Sequence, residues 1–279
     1  MGRPDPPSAG ALPPLPAGWR WAAQDGLYLL HAESLRALGV SHAFTTRPGG
    51  RSAAPFDTLN LGRGVGDAPE AVRQNRTKVL AALGRPLRDH VEASQVHGAN
   101  AAIVGALQRG EKISGVDILL TRDPAVVLAV HCADCVPVLL ADTVRGAVAA
   151  VHTGWRGAAA GASAAAVRAM AEAFGSRPAD LIAAVGPSIG PCCYEVDAAV
   201  MAGFSAWPWR GDVFVARRLG RWMLDLWEAN RRQLVGAGVR PEAVSMVRLC
   251  TSCHRGLFFS HRRDRVTGRM AGLIAVSRP

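Results

Sequence analysis

Six short apolar runs rich in Val, Ile, Leu and Ala punctuate the chain, at residues 101–104, 125–130, 136–140, 147–151, 181–185 and 244–249. Each is bounded by polar, Gly or Pro positions and is too short for a free-standing helix, which predicts buried strands. Helical stretches are predicted over 71–83, 158–174 and 222–234. Strands mixed with helices imply an α/β sheet covered by helices. The links at Asp123-Pro124 and Asp142 to Gly146 are short, which favours antiparallel pairing of the runs they join and therefore a mixed sheet. Gly, Pro or charge interrupts every apolar run well before the roughly 18 residues that a membrane span needs. No basic segment leading into an apolar stretch opens the chain, so the expectation is a soluble, cytoplasmic protein with no membrane partner.

Residues 1–18, MGRPDPPSAGALPPLPAG, carry six prolines and are expected to form a disordered lead, since proline neither donates to a ladder nor sits inside a helix. From Trp19 onward no Pro-, Gly- or Ser-rich linker appears, so residues 19–279 are expected to be one catalytic domain. Hydrophobic residues make up 49% of the 279 positions, enough for a sizeable core. The formal charge of +10 invites a nucleic-acid reading. However, the basic residues are spread along the whole chain and no basic stripe is interleaved with aromatics, so a solvated basic surface is expected and no nucleic-acid partner. Six cysteines in a chain this long do not make a disulfide framework.

Candidate chemistry concentrates in residues 130–157, VHCADCVPVLLADTVRGAVAAVHTGWRG. Two C-x-x-C pairs, Cys132 to Cys135 and Cys250 to Cys253, suggest a Cys₄ zinc site, but zinc ribbons space their pairs about 15–20 residues apart. Here 250 − 135 gives 115 residues. A redox pair would open a helix, whereas Cys132 and Cys135 lie between two predicted strands. His97 in Gln95-Val96-His97-Gly98, Cys135 and His152 all fall at predicted strand ends, where α/β proteins gather ligands. One thiolate and two imidazoles suit zinc and leave a fourth position open. The same residues could equally be a Cys-His nucleophile pair or plain core. Asp134, beside Cys135, is a candidate catalytic carboxylate or a turn cap. Arg156, at the N-terminus of the helix predicted from residue 158, and Arg262 in Phe258-Phe259-Ser260-His261-Arg262-Arg263-Asp264 are candidate anion ligands. Arg47 in Thr45 to Gly50 and Asn60 in Asn60-Leu61-Gly62 complete the candidate substrate-binding set.

The blocks TTRPGG, LNLG, QVHG, ADCVPVLLAD, AAVHTGWRG, GPSIGPCCYEV, CTSC, FFSHRRD and TGRMAGLI, in order from about Ala43 to Ile274, resemble the YfiH-type family. Its members were first named multicopper polyphenol oxidases or laccase-domain proteins. They were later described as zinc-dependent purine nucleoside phosphorylases with adenosine deaminase activity. The resemblance implies zinc ligands at His97, Cys135 and His152, and purine nucleosides (adenosine, inosine, guanosine, methylthioadenosine) and phosphate as substrates. It also implies a three-layer α/β/α fold with a mixed sheet, similar to the cytotoxic necrotizing factor catalytic domain. His131-Cys132 departs from the small residues that family members usually carry before ADC.

Two other functions stay open. One is a Cys-His hydrolase acting in peptidoglycan precursor editing, with Cys135 as nucleophile and His152 as base; the other is a non-catalytic binding protein. Copper can occupy the zinc site, but eight histidines in all, with no H-x-H pair, are too few for a four-copper oxidase.

Overall fold

The apolar runs do form strands, divided between two sheets that pack face to face. The computed structural model describes residues 12–277. Its first sheet contains β1 (Trp19–Gln24), β2 (Leu27–Ala32), β3 (Ser41–Thr45), β4 (His90–Ser94), β6 (Lys112–Ser114), β8 (Val127–Cys132) and β16 (Met270–Ala275), in the order β1-β2-β3-β16-β8-β4-β6. The second contains β5 (Ala101–Ile103), β7 (Ile118–Thr121), β9 (Val136–Asp142), β10 (Ala147–Thr153), β11 (Ile182–Val185) and β15 (Val244–Met246), in the order β15-β11-β9-β10-β7-β5. A small antiparallel sheet joins β12 (Glu195–Asp197), β13 (Phe214–Arg218) and β14 (Arg221–Leu224). The helices are α1 (Glu33–Arg36), α2 (Pro69–Ala82), α3 (Trp155–Ala159), α4 (Ala162–Phe174), α5 (Ala198–Gly203), α6 (Arg210–Val213), α7 (Leu226–Gly236) and α8 (His261–Asp264).

Both faces of the central strands are buried, which is why they read as unbroken apolar runs. Along β10, Val148 and Ala150 enter the core between the two sheets, where they meet Phe44, Leu128, Val130 and Ile274. Ala147, Ala149 and Val151 point the other way, into a second core with Ala166 and Met170 of α4 and Leu234 of α7. Along β8 the alternation is the same: Val127 and Ala129 face Val79 and Leu80 of α2. The expected mixed α/β architecture with helices on its outer faces is present, and its β layer is double. Both main sheets are mixed: β4 runs parallel to β8, and β11 parallel to β15, among antiparallel neighbours.

The Asp142 to Gly146 turn makes the expected antiparallel pair, with Ala147 opposite Asp142. The Asp123-Pro124 turn does not. Its flanking strands, β7 and β8, lie in different sheets, so the turn carries the chain from one layer to the other. Asp123 fixes the crossing by accepting N–H bonds from Ala125 at 2.8 Å and Ala106 at 2.7 Å.

The helix predicted over 158–174 is broken at Gly161, whose φ of +81° separates α3 from α4. A Cβ there would lie 3.1 Å from Trp207. The helix predicted from residue 222 starts only at Leu226, because Trp222 belongs to β14 and Asp225 caps the helix by accepting from the Glu228 N–H at 3.0 Å. Of the expected disordered lead, residues 1–11 lie outside the described residues. Over 12–18 the expectation gives way: Leu12 and Leu15 pack on the inter-sheet core, and Trp21 Nε1 donates to the Pro13 carbonyl at 3.0 Å. Among the described residues no helix is long and apolar enough to cross a membrane.

Candidate metal centre

Three loops meet where strands of both sheets end. His97 follows β4, Cys135 sits in the crossing from β8 to β9, and His152 is the penultimate residue of β10, opposite Pro137 in the ladder and so two residues from Cys135. The ligating atoms of His97, Cys135 and His152 all lie within 4.8 Å of one another, and the two imidazoles meet edge to face at 5.0 Å. The triad expected from strand ends is therefore assembled in space.

A residue that sequence reasoning did not single out organises it. Asp117 immediately precedes β7, and Ile118 pairs with Val151, which sets Asp117 beside His152. Its wholly buried carboxylate accepts the backbone N–H groups of Val96 at 3.2 Å, His97 at 3.0 Å and Gly98 at 2.7 Å. This nest holds His97 at φ +61°, a left-handed conformation that a non-glycine residue rarely adopts. The same carboxylate lies 2.8 Å from His152 Nδ1, and the Asp117 carbonyl accepts the His152 N–H at 2.8 Å. With Nδ1 committed as donor, Nε2 is left to face Cys135 and any metal.

Electrostatics agree with the geometry. Burial alone would push the Cys135 thiol up, yet the charge and hydrogen bonding of His152, with help from His97, bring its pKa down to about 6. Burial opposes charge on His152, but Cys135 and Asp117 outweigh it and raise its pKa to about 9. The surroundings thus favour the thiolate of Cys135, the form that a metal ligand or a nucleophile requires. Gly154 leaves the space open: a Cβ there would stand 2.9 Å from Cys135 Sγ and 3.2 Å from His97 Cδ2. The donor set, its thiolate character and this clearance all fit a metal ion held by two imidazoles and one sulfur.

The other candidates divide. Asp134 adjoins the triad, but both its oxygens are engaged: one accepts from Thr251 Oγ1 at 2.7 Å and the other from the Arg262 backbone N–H at 2.6 Å. In that geometry Asp134, expected as a catalytic carboxylate or a turn cap, pins two loops together. Arg262 is set at the rim, its guanidinium donating to the Glu195 carbonyl at 2.7 Å and lying 4.9 Å from the Tyr194 ring centre. Burial, with Cys135 adding to it, keeps the Tyr194 phenol protonated, and Arg262 and Arg156 oppose that shift. Arg156 is exposed, rests on Trp155 at 4.4 Å and makes no ion pair among the described residues.

Arg47 and Asn60, also expected to bind substrate, have partners within the fold. Arg47 clamps Asp57 bidentately at 2.9 and 3.0 Å. Asn60, with no exposed surface, bonds Asp67 and Gly62 and accepts the Arg269 N–H at 2.8 Å. Arg269, half-buried, enters the surroundings unannounced: burial lowers its pKa while the Cys135 charge favours its cationic form. Neither His131 nor Cys132 joins the triad. Cys132 packs in the inter-sheet core, where burial pushes its thiol well up, and His131 is bracketed by Gln95, which bonds its backbone N–H and C=O at 2.7 Å each.

Residues 41–277 match the profile of the family described as multi-copper polyphenol oxidoreductase laccase. The chain belongs to this family. A relative from Geobacillus stearothermophilus named purine nucleoside phosphorylase YlmD is 40% identical over 85% of this chain and 90% of its own length. A purine nucleoside phosphorylase from Streptomyces coelicolor is 42% identical over 85% of this chain and 95% of its own. Among solved structures, the hypothetical protein YfiH of Bacillus licheniformis superposes with a TM-score of 0.87 at 38% identity, covering 92% of this chain and 98% of the other. The YlmD structure from Geobacillus stearothermophilus matches equally well, with a TM-score of 0.87 at 37% identity over 94% of this chain and 100% of the other. The span that matches the family profile, residues 41–277, contains His97, Cys135 and His152.

Proposed function

We propose that this protein is a zinc-dependent purine nucleoside phosphorylase that also deaminates adenosine, with His97, Cys135 and His152 as the metal ligands. The observation that carries the reading is the convergence of those three donors, oriented by Asp117, in a chain whose relatives are named purine nucleoside phosphorylases. When bound, zinc supplies Lewis acidity at the open fourth position. The protein's own residues do the rest. Tyr194, with Arg262 against its ring, offers a flat surface for a purine base. Arg156, exposed and unpaired among the described residues, is the cation best placed to hold phosphate, and the Arg262 guanidinium adds a second positive group near Tyr194. Arg263 is excluded from that role because Asp264 and three backbone carbonyls use its donors.

The test is product analysis on adenosine with and without phosphate. Phosphorolysis yields ribose 1-phosphate and adenine; deamination yields ammonia and inosine and needs no phosphate. Arg156→Ala is expected to slow phosphorolysis by about 10-fold or more, the loss of one charge-assisted contact, while leaving deamination nearly intact. Equal loss of both activities would make Arg156 structural.

A second reading is supported by a specific observation. Without metal, Cys135, His152 and Asp117 form a thiolate, imidazolium and orienting carboxylate in the arrangement of a thiol hydrolase. A ligated thiolate is not free to attack, so the two readings require opposite responses to zinc. A non-catalytic binding protein, the third alternative, predicts no turnover of any nucleoside.

A further inference from the structure

Outside the triad, the described residues bring together two other groups with ligand chemistry. His90, Glu92 and His131 are near one another, but the Arg76 guanidinium donates to Glu92 at 2.6 Å and stands 3.4 Å from His131 Nε2, so a fixed cation already occupies their midst. The other group is four thiols. Cys192, Cys193, Cys250 and Cys253 have all their sulfur atoms within 4.8 Å of one another. Cys253 Sγ lies 3.5 Å from Cys192 Sγ and 3.4 Å from Cys193 Sγ. The C-x-x-C pair Cys250–Cys253 thus finds its partners in the Cys192-Cys193 doublet, and not in Cys132–Cys135.

Zinc with four thiolates holds its sulfurs at about 2.3 Å, which as a tetrahedron sets them about 3.8 Å from each other. The observed separations fit that tetrahedron and are far from the roughly 2.05 Å of a disulfide. The two loops that supply the sulfurs are already fixed in register. Ser188 bridges Cys250, with its N–H donating to the Leu249 carbonyl at 3.3 Å and its own carbonyl accepting the Thr251 N–H at 3.0 Å. The Gly190 N–H points at Cys250 Sγ at 3.3 Å, a contact that supports a charged sulfur. Cys250 is buried while Cys192 and Cys253 are exposed, so the cluster has a closed floor and an entrance from solvent.

We propose that Cys192, Cys193, Cys250 and Cys253 bind one zinc ion in a closed tetrathiolate site that clamps the loop after β11 to the loop after β15. Loading releases the four thiol protons to solvent and leaves a complex of net charge 2−. Arg263, donating to the Thr251 and Ser252 carbonyls, braces the second loop from within. Four protein sulfurs leave no open position, so this ion is structural. Its consequence is felt at the triad. The clamped loops carry Tyr194, one residue after Cys193, and Thr251, one after Cys250, which bonds Asp134 next to Cys135. The proposal concerns a different ion from the one at His97, Cys135 and His152 and does not depend on the reaction performed there.

Metal is counted on the full-length protein purified under reducing conditions, as wild type, as Cys135→Ala and as the double variant Cys250→Ser with Cys253→Ser. Wild type is expected to hold two zinc ions per chain and each variant one. Cobalt loaded into Cys135→Ala should show the intense sulfur-to-metal charge-transfer absorption of an all-thiolate tetrahedral site, absent from the double variant. Should the double variant fail to fold, thiol titration of Cys135→Ala replaces it: the four cysteines should be shielded with zinc and become reactive as one equivalent is chelated. A Cys135→Ala protein whose four thiols react freely at saturating zinc would overturn the proposal, as would a mass four hydrogens lower, the sign of two disulfides. Because Cys135→Ala lacks the triad thiolate, failure of the triad assignment leaves this outcome unchanged.

Discussion

Asp117 does at the residue scale what no single ligand does: it collects three backbone N–H groups and the imidazole of His152 on one carboxylate, and so orients two of the three metal donors. Removing its charge while keeping its shape should weaken the metal without unfolding the loop. Asp117→Asn is expected to lower zinc affinity about 10- to 100-fold, the usual effect of losing a carboxylate behind a ligating histidine. Competition with a chromogenic chelator measures it; unchanged affinity would show that Asp117 only supports the loop. The candidate ligands His97, Cys135 and His152 were legible in the sequence from their places at predicted strand ends together with the family resemblance. Asp117 was not, because an acid before a strand is an ordinary turn residue until the β7–β10 register places it beside His152. The internal partners of Arg47 and Asn60 were equally illegible. Their partners, Asp57 and Asp67, lie close in sequence, but nothing in the spacing shows that their side chains meet.

Among the elements, four strands buried on both faces were legible, but the apolar, buried β7 and β16 were passed over, as were strands carrying polar residues. β8, β9, β10 and β11 are continuous apolar runs because cores lie on either side of them. By contrast β3 includes His42, and β4 includes His90 and Glu92, buried polar groups whose partners lie elsewhere in the fold. His42 ties β2 to β3, accepting the Ala32 N–H on Nε2 at 2.9 Å and donating from Nδ1 to the Val40 carbonyl at 3.0 Å, a set of bonds that only the neutral ring can make. Burial lowers its pKa from 6.5 to about 4. Between those values the unfolded chain binds a proton that the folded one does not, so stability falls as pH drops through 6.5 and this loss is complete below about 4. The ceiling for one such histidine is about 3 kcal/mol. Urea midpoints at pH 7 and pH 5 check the sign, and His42→Gln, which keeps a donor and an acceptor but does not titrate, should show a shallower decline. An equally steep decline in the variant would remove His42 from the account.

For the molecule as a whole, part of the basic excess behind the charge of +10 is internal: Arg76 and Arg263 are braces, and Arg47 clamps Asp57. The family's laccase description can be tested on histidine supply. All eight histidines are described, and no ligand group collects more than two imidazoles, whereas a four-copper oxidase needs about ten. Copper-loaded protein is expected to bind far fewer than four coppers and not to reduce oxygen to water with a phenol. Four bound coppers with that activity would contradict the assignment.

The central claim is that metal at His97, Cys135 and His152 is required for nucleoside cleavage, and one titration decides it. Zinc is added back to chelated protein while ribose 1-phosphate formed from inosine and phosphate is measured alongside alkylation of Cys135. The account predicts that turnover rises from near zero as Cys135 becomes protected, saturates when protection is complete, and never appears in Cys135→Ala. Turnover that is highest in the metal-free protein and falls as zinc covers Cys135 would contradict it.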